Sequence, residues 1–357
     1  NKLVSFLGCI AFIICSMYLL IQIKPESFMG RVLVWQITLQ HVSGNLFTGI
    51  GIGNFSFYYP QWQIEYFFSH TNPPVSYFLN ASETHLAFNE LLQILTEFGI
   101  IGLLCFVALI IYLLKLKQSE NEIFILSLKA TIILILFAGL SSYALHCNAI
   151  FLLFSFAIAA LLAFTKTKSY TLNGSRSYQI VMLLLFQSLV LFGAFKSRKQ
   201  YNLILKWTEL RDDLFLEPEQ IKSGYFALYP FLKTNGKFLV DMGEHLSDID
   251  DQKNAIKVLK RSKQFYFSER TLLALSEAYY QVDSIKMTIN TLEELSSLIP
   301  SKFYPKYNLA KLYYKSGDLI KANRMSNTIL SMPVKKMSAD VRQIRTETMQ
   351  LLNNRSN

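Results

Sequence analysis

A stripe of polar side chains recurs at intervals of four residues: His85, Asn89, Gln93 and Glu97. In a helix, this spacing places all four side chains on one face. The same stretch runs without a break into an apolar segment from Leu103 to Leu114. Ionisable groups near hydrocarbon are costly and usually face a bundle interior or a water-filled cavity. The stretch therefore predicts a polar site at one end of a membrane helix.

Histidine is the side chain best suited to acid-base chemistry in this stripe, because it titrates near neutral pH. His85 is our candidate for the base that takes a proton from a hydroxyl, with Asn89 or Glu90 orienting the histidine or the hydroxyl. The alternative is structural: His85 would mark the start of a helix, and Asn89 and Gln93 would form hydrogen bonds between helices. Glu97 is predicted to be buried and paired.

Arg31 is the one arginine in the segment 24–90. It lies one helical turn before Trp35 in an amphipathic stretch, 31–40, which we expect at the membrane interface. A guanidinium group can form two parallel hydrogen bonds with a diphosphate and stabilise it as a leaving group. The ordinary alternative is an anchor to lipid headgroups.

Alternating glycines follow at Gly49, Gly51 and Gly53. They lack the strand-turn-helix context of a nucleotide site, so they predict a tight, close-packed bend. The aromatic stretch 55–62 comes next and suits either stacking on sugar rings or an interfacial belt.

Long apolar runs predict membrane spans at 3–23, 91–114, 123–143, 147–165 and 179–195. The links 115–117 and 166–176 are short and basic, so the positive-inside rule places them in the cytoplasm and places 24–90 and the residues after 196 outside. The polar turn 141–148 then lies outside, either near the cavity of His85 or simply in solvent. Because the chain starts within an apolar run and without Met, we expect it to be part of a longer membrane protein.

The net charge of +10 is spread along amphipathic helices, so it does not indicate nucleic-acid binding. The four cysteines all lie in apolar runs, which predicts neither a disulfide framework nor a zinc site. A metal triad of His41, His70 and His85 has no ligand spacing to support it. We expect no metal and no cofactor.

The C-terminal half contains a repeat. Leu275–Tyr280 matches Leu309–Tyr314 at an offset of 34 residues, and 238–255 reads as a degenerate third copy. The period and the Leu/Ala/Tyr…Gly…Ala pattern resemble tetratricopeptide repeats. Such helix pairs stack into a concave surface that suits a protein partner. Asp283 stands where the later copy has Gly317.

The order of these features resembles the O-antigen ligase and polymerase family over about residues 28–165. The family signature is an outer loop with an Arg…Trp helix, a glycine-rich segment followed by Phe, and a His-Asn-type motif that runs into Leu-Gln…Glu-x-Gly-x-x-Gly. His85 and Asn89 are separated by three residues here, where many ligases have them adjacent. The repeat tail is similar to that of Bacteroidetes-type members.

This resemblance implies transfer of a glycan from a polyprenyl (undecaprenyl) diphosphate carrier to an acceptor hydroxyl in the periplasm. A ligase would use lipid A-core or a protein as acceptor, as in lipopolysaccharide biosynthesis, whereas a polymerase would use another lipid-linked repeat unit. His85 would be catalytic, Arg31 would bind the diphosphate, and Trp35, Asn89 and Glu90 would support them. Attack opposite the leaving group would invert the anomeric centre. Membrane lipid and a protein bound to the repeats are the other expected partners.

The expected fold class is all-α: a polytopic transmembrane helical bundle followed by a soluble, tetratricopeptide-like repeat domain. The expected domains are a transmembrane helix at 1–23, a periplasmic loop at 24–90, four transmembrane helices at 91–196 and a periplasmic repeat domain at 197–357, all anchored in a bacterial inner membrane. A non-enzymatic scaffold is the rival, and it predicts that Arg31 and His85 are dispensable. A transporter would favour internally repeated spans with broken helices.

Overall fold

The computed structural model describes residues 22, 24–70, 72–116, 122–165, 176–213 and 215–353. These residues form α-helices and short 3-10 helices with no strand among them, which confirms the all-α class. The predicted first span lies outside the described residues except for Gln22. In chain order the α-helices are α1 Pro25–Val42, α2 Phe55–Ser69, α3 Val75–Asn80, α4 Glu90–Lys115, α5 Glu122–Gly139, α6 Asn148–Phe164, α7 Arg176–Asp212, α8 Pro218–Leu232, α9 Gly236–Asp248, α10 Gln252–Lys263, α11 Glu269–Gln281, α12 Ile285–Leu298, α13 Phe303–Lys315, α14 Leu319–Ser331 and α15 Ala339–Asn353.

Helices α1 to α3 belong to the outer loop, residues 24–90, and pack around a small apolar core of their own. The buried side chains of α1 include Leu33, Val34 and Ile37, which lie on one face at positions i, i+1 and i+4. Phe55 and Tyr59 of α2 stack with ring centroids 5.3 Å apart and complete this core. The loop is therefore a packed unit that fixes the position of α1.

Helices α4, α5 and α7 are long and apolar enough to cross a membrane, and α6 is a shorter apolar helix. They correspond to the predicted spans after residue 90. Large apolar side chains such as Leu104, Leu134 and Phe156 are exposed on them, as a lipid-facing surface requires. The structure has no break at the predicted boundary near 196, because α7 runs from Arg176 to Asp212 without a proline.

Helices α9 to α14 form three successive pairs, and each pair packs against the next. The two matching stretches lie on α11 and α13, the first helices of their pairs. In each pair, the turn between the two helices contains one residue with a left-handed backbone: Asp250 (φ 64°), Asp283 (φ 53°) and Gly317 (φ 81°). The two aspartates thus take the place of the glycine, and the repeat includes the degenerate copy at 238–255.

The repeat domain packs directly on the outer loop. Ile64 of α2 joins the apolar cluster that contains Leu292 and Leu295 of α12. Beside it, Gln63 Nε2 donates a hydrogen bond of 2.6 Å to the carbonyl oxygen of Leu298. The C-terminal half is therefore in contact with the segment that carries the predicted site residues.

Candidate active site

Helix α1 contacts the segment that precedes α4 through its predicted site residues. Trp35 Nε1 donates a hydrogen bond of 2.9 Å to the carbonyl oxygen of Ala87. One turn earlier, the Arg31 guanidinium carbon lies 6.0 Å from the centroid of the Phe88 ring. Phe88 has a φ of 52°, a left-handed conformation that is strained for a bulky residue. The structure thus joins α1, which carries Arg31 and Trp35, to the segment that carries His85.

His85 does not lie on a helix, so the predicted common face of four polar residues is wrong. Helix α4 begins at Glu90, and Asn89 is its N-cap, with Asn89 Oδ1 accepting a hydrogen bond of 3.0 Å from Leu92 N. Asparagine is favoured at this position because its side chain pairs with an otherwise unsatisfied backbone N–H group. Only Gln93 and Glu97 share the helical face, and Gln93 Nε2 donates to Glu97 Oε1 at 2.8 Å.

His85 instead pairs with Glu83, which was not among the predicted site residues. His85 Nε2 lies 3.0 Å from Glu83 Oε1. Burial alone would raise the pKa of Glu83, but its hydrogen bonds to His85 and to the backbone N–H of Glu269, together with the nearby Tyr266 hydroxyl, lower it. A carboxylate on one ring nitrogen fixes the orientation of an imidazole. The His85 side chain is 41 % exposed and so remains accessible to a substrate.

Asn89 and Glu90 are engaged elsewhere in the described part of the chain. The Asn89 side chain caps α4, and the buried Glu90 carboxylate accepts a hydrogen bond of 2.7 Å from Leu145 N. The other Glu90 oxygen lies 3.3 Å from His146 Nδ1. Glu90 therefore ties the start of α4 to the 3-10 helix Ala144–His146, within the polar turn 141–148. The structure brings this turn to the same end of α4, but it does not bring Glu90 to His85.

The glycine-rich segment packs its backbone into a break in α4. The break is at Gly99, whose φ of 70° and ψ of −173° are not helical, so the predicted unbroken helix is wrong. Across the break, Gly51 N donates to Glu97 O at 3.0 Å and Ile100 N donates to Leu46 O at 2.7 Å. A Cβ atom on Gly49 would lie 2.4 Å from the Glu97 carbonyl. The prediction of a tight bend is confirmed, and glycine is needed because two backbones meet.

A cavity of about 190 Å³ lies beside Arg31. Its lining includes Arg31 and Phe88 together with the polar residues Gln63, Asn80 and Thr84, and Glu26 contributes an acidic group. Such a cavity, with one guanidinium and several neutral hydrogen-bonding groups, suits a small anionic or sugar-like group.

The remaining outer-loop histidines are packed on aromatic rings, His41 on Trp62 and His70 on Tyr66. Among the described residues, no three His, Cys, Asp or Glu side chains form a metal-binding group.

The N-terminal part of the chain is similar to a known family. Residues 3–107 match the family model described as O-Antigen ligase (Wzy_C), which confirms the resemblance over residues 28–107 of the predicted range 28–165. This match, together with three candidate membrane-spanning helices, supports a membrane protein with a glycosyltransferase role of the ligase or polymerase type. No curated protein matches the chain.

Two solved structures are similar to part of the chain. "Crystal structure of MamA" is 19% identical, with a TM-score of 0.33, and the match covers 39% of this chain and 81% of that chain. "Crystal structure of MamA protein" is 18% identical, with a TM-score of 0.30, and covers 38% and 79% respectively.

Proposed function

We propose that this chain carries the acceptor-activating site of an O-antigen ligase, which transfers a glycan from an undecaprenyl diphosphate carrier to a hydroxyl of lipid A-core or of a protein. The observation that carries the proposal is the His85–Glu83 pair, which lies on the same short segment that Arg31 and Trp35 contact. The match to the O-Antigen ligase model includes all of these residues.

In the proposed reaction, His85 accepts the proton of the acceptor hydroxyl while the oxygen attacks the anomeric carbon of the donor. The bond between that carbon and the diphosphate oxygen breaks, and the electron pair leaves with the diphosphate. Arg31 neutralises the charge that develops on the leaving group. Glu83 stabilises the His85 imidazolium that forms. Attack from the side opposite the diphosphate inverts the anomeric centre, and no step requires a metal.

The proposed location is the periplasmic face of a bacterial inner membrane, with the repeat domain in the periplasm. The support is the charge of the predicted loops, since the short basic links are expected in the cytoplasm. A polymerase would use the same donor chemistry and would differ in its acceptor, a second lipid-linked unit. The repeat domain on the outer loop provides a surface for a protein acceptor or an assembly partner, which favours the ligase.

The test is glycan transfer by the complete protein in membranes, with an undecaprenyl-diphosphate-linked glycan as donor. Lipid A-core and a second lipid-linked unit are supplied as acceptors in separate reactions. His85→Ala and Arg31→Ala are each expected to reduce transfer by about 10²-fold or more. Lys24→Ala, which removes the other basic residue of the outer loop, is the matched control and should retain activity. Transfer that persists in both His85→Ala and Arg31→Ala would contradict the proposal.

A further inference from the structure

The carboxylate that pairs with His85 is held by the repeat domain. Glu83 Oε2 accepts a hydrogen bond of 2.8 Å from the backbone N–H of Glu269, the first residue of α11. The Tyr266 hydroxyl also acts on this carboxylate and helps to lower its pKa. The Tyr266 ring lies 5.9 Å from the His85 ring, measured between centroids. Two groups from the C-terminal half thus contact the candidate base and its carboxylate.

Hydrogen bonds within the repeat domain also hold these two groups in place. Ser268 caps α11 by accepting a hydrogen bond from Thr271 N, which leaves the N–H of Glu269 to point at an outside acceptor. The backbone of Tyr266 is held on both sides, because Tyr266 N donates to Ser262 O at 2.7 Å and Thr271 Oγ1 donates to Tyr266 O at 2.8 Å. Burial raises the pKa of the Tyr266 hydroxyl, so it stays protonated as a donor.

A second connection fixes the residue before Glu83. Gln63 is buried, and its Nε2 atom donates both to the carbonyl oxygen of Ser82, at 3.2 Å, and to that of Leu298, at 2.6 Å. The side-chain amide of Gln63 therefore joins the segment that carries His85 to the end of α12. The repeat domain therefore holds Glu83 directly, and it is linked to Ser82 through Gln63.

We propose that Tyr266 and the first turn of α11 are positioning elements of the active site: they hold the Glu83 carboxylate, which orients His85. This inference rests on the proposed function of His85. It gives the repeat domain a part in the transfer reaction itself, in addition to any partner that it binds. Tyr266 is a positioning residue and not a catalytic one, since it acts on the base through Glu83.

Tyr266→Phe removes the hydroxyl and leaves the ring in place. The expected result is a fall in kcat of about tenfold, because the hydroxyl no longer stabilises the Glu83 carboxylate, while KM for the lipid-linked donor stays unchanged. The matched control is Tyr280→Phe, the same change on an exposed ring near the far end of α11, which should leave both constants unchanged. A mainly structural effect of Tyr266→Phe would instead lower the amount of folded protein and leave kcat per folded molecule intact, which would overturn the proposal.

A double-mutant cycle with Glu83→Gln tests whether Tyr266 acts through Glu83. In the Glu83→Gln background, Tyr266→Phe should reduce kcat by less than twofold, since the carboxylate it holds is already gone. Multiplicative effects of the two changes would contradict the inference. If His85→Ala abolishes transfer but Tyr266→Phe has no effect, the positioning role fails alone; if His85→Ala retains transfer, the proposed function fails.

Discussion

Each helix pair of the repeat domain packs against its neighbours in sequence, whereas the outer loop is held by contacts from distant parts of the chain. In the repeats, α9 packs on α10, α11 on α12 and α13 on α14. In the outer loop, Glu83 is bound by Glu269, 186 residues away, and Gln63 by Leu298, 235 residues away. The candidate chemistry lies in the second region, where the position of one side chain depends on several elements at once.

Left-handed backbone also serves different purposes in the repeat turns and at the contact between the outer loop and α4. Asp283 and Gly317 occupy equivalent turns between paired helices, and a Cβ atom on Gly317 would meet nothing within 4 Å. At Gly99 a Cβ atom would lie 2.2 Å from the Phe47 carbonyl oxygen. The turn in the repeat therefore requires only a left-handed backbone conformation. The break in α4 also requires that no Cβ atom be present, because the backbone of the outer loop occupies that space.

The largest expected effect follows from this difference. Gly99→Ala should destabilise the protein by about 3 kcal/mol or more, because strain at positive φ adds to overlap with the backbone of the glycine-rich segment. Gly317→Ala, the matched change in the repeat domain, should cost about 1 kcal/mol, because it introduces strain alone. Thermal unfolding in detergent measures both. Equal losses for the two variants would show that the close approach at α4 contributes nothing.

The sequence was sufficient to predict the repeats and the tight glycine bend, because both depend on local patterns. The period of 34 residues located α11 and α13, and the glycines near Gly51 indicated a close approach of backbones. The four-residue spacing from His85 to Glu97 was misleading, because the N-cap at Asn89 starts the helix after the histidine. Glu83 was missed since its partners, Tyr266 and Glu269, are brought to it only by the packing of the repeat domain.

A smaller effect is expected at Lys306, which lies where the two regions meet. Its ammonium group is 5.8 Å from the Phe78 ring of α3 and donates a hydrogen bond of 2.6 Å to Pro300 O. Burial lowers the pKa of Lys306 from 10.5 to about 7. Between these values the unfolded chain holds a proton that the folded chain lacks, so stability rises with pH, by about 1.4 kcal/mol per pH unit.

Lys306→Met removes this titration. The wild type should gain stability relative to the variant as the pH rises from 7 to 9, and the two should run in parallel below pH 6. Unfolding midpoints measured across this range check the prediction. Parallel curves over the whole range would show that Lys306 keeps its ordinary titration in the folded protein.

The smallest effect is expected at an exposed connection between the same two regions. Lys335 Nζ lies 2.6 Å from Glu26 Oε2, but the two side chains are 52% and 62% exposed. Solvent screens such a pair, so Lys335→Ala should change the free energy of unfolding by about 0.5 kcal/mol or less. A loss above about 1 kcal/mol in chemical denaturation would mean that surface charges, and not the buried contacts of Gln63 and Glu83, hold the repeat domain on the loop.

The measurement that tests the account most directly is the rate of glycan transfer by His85→Ala compared with His70→Ala, at matched expression in membranes. Both variants remove an imidazole from the outer loop, but His70 stacks on Tyr66 and bonds to the Tyr66 carbonyl, whereas His85 pairs with Glu83. We expect His85→Ala to lose transfer by about 10²-fold or more and His70→Ala to keep most of it. Equal activity in the two variants would contradict the assignment of His85 as the base.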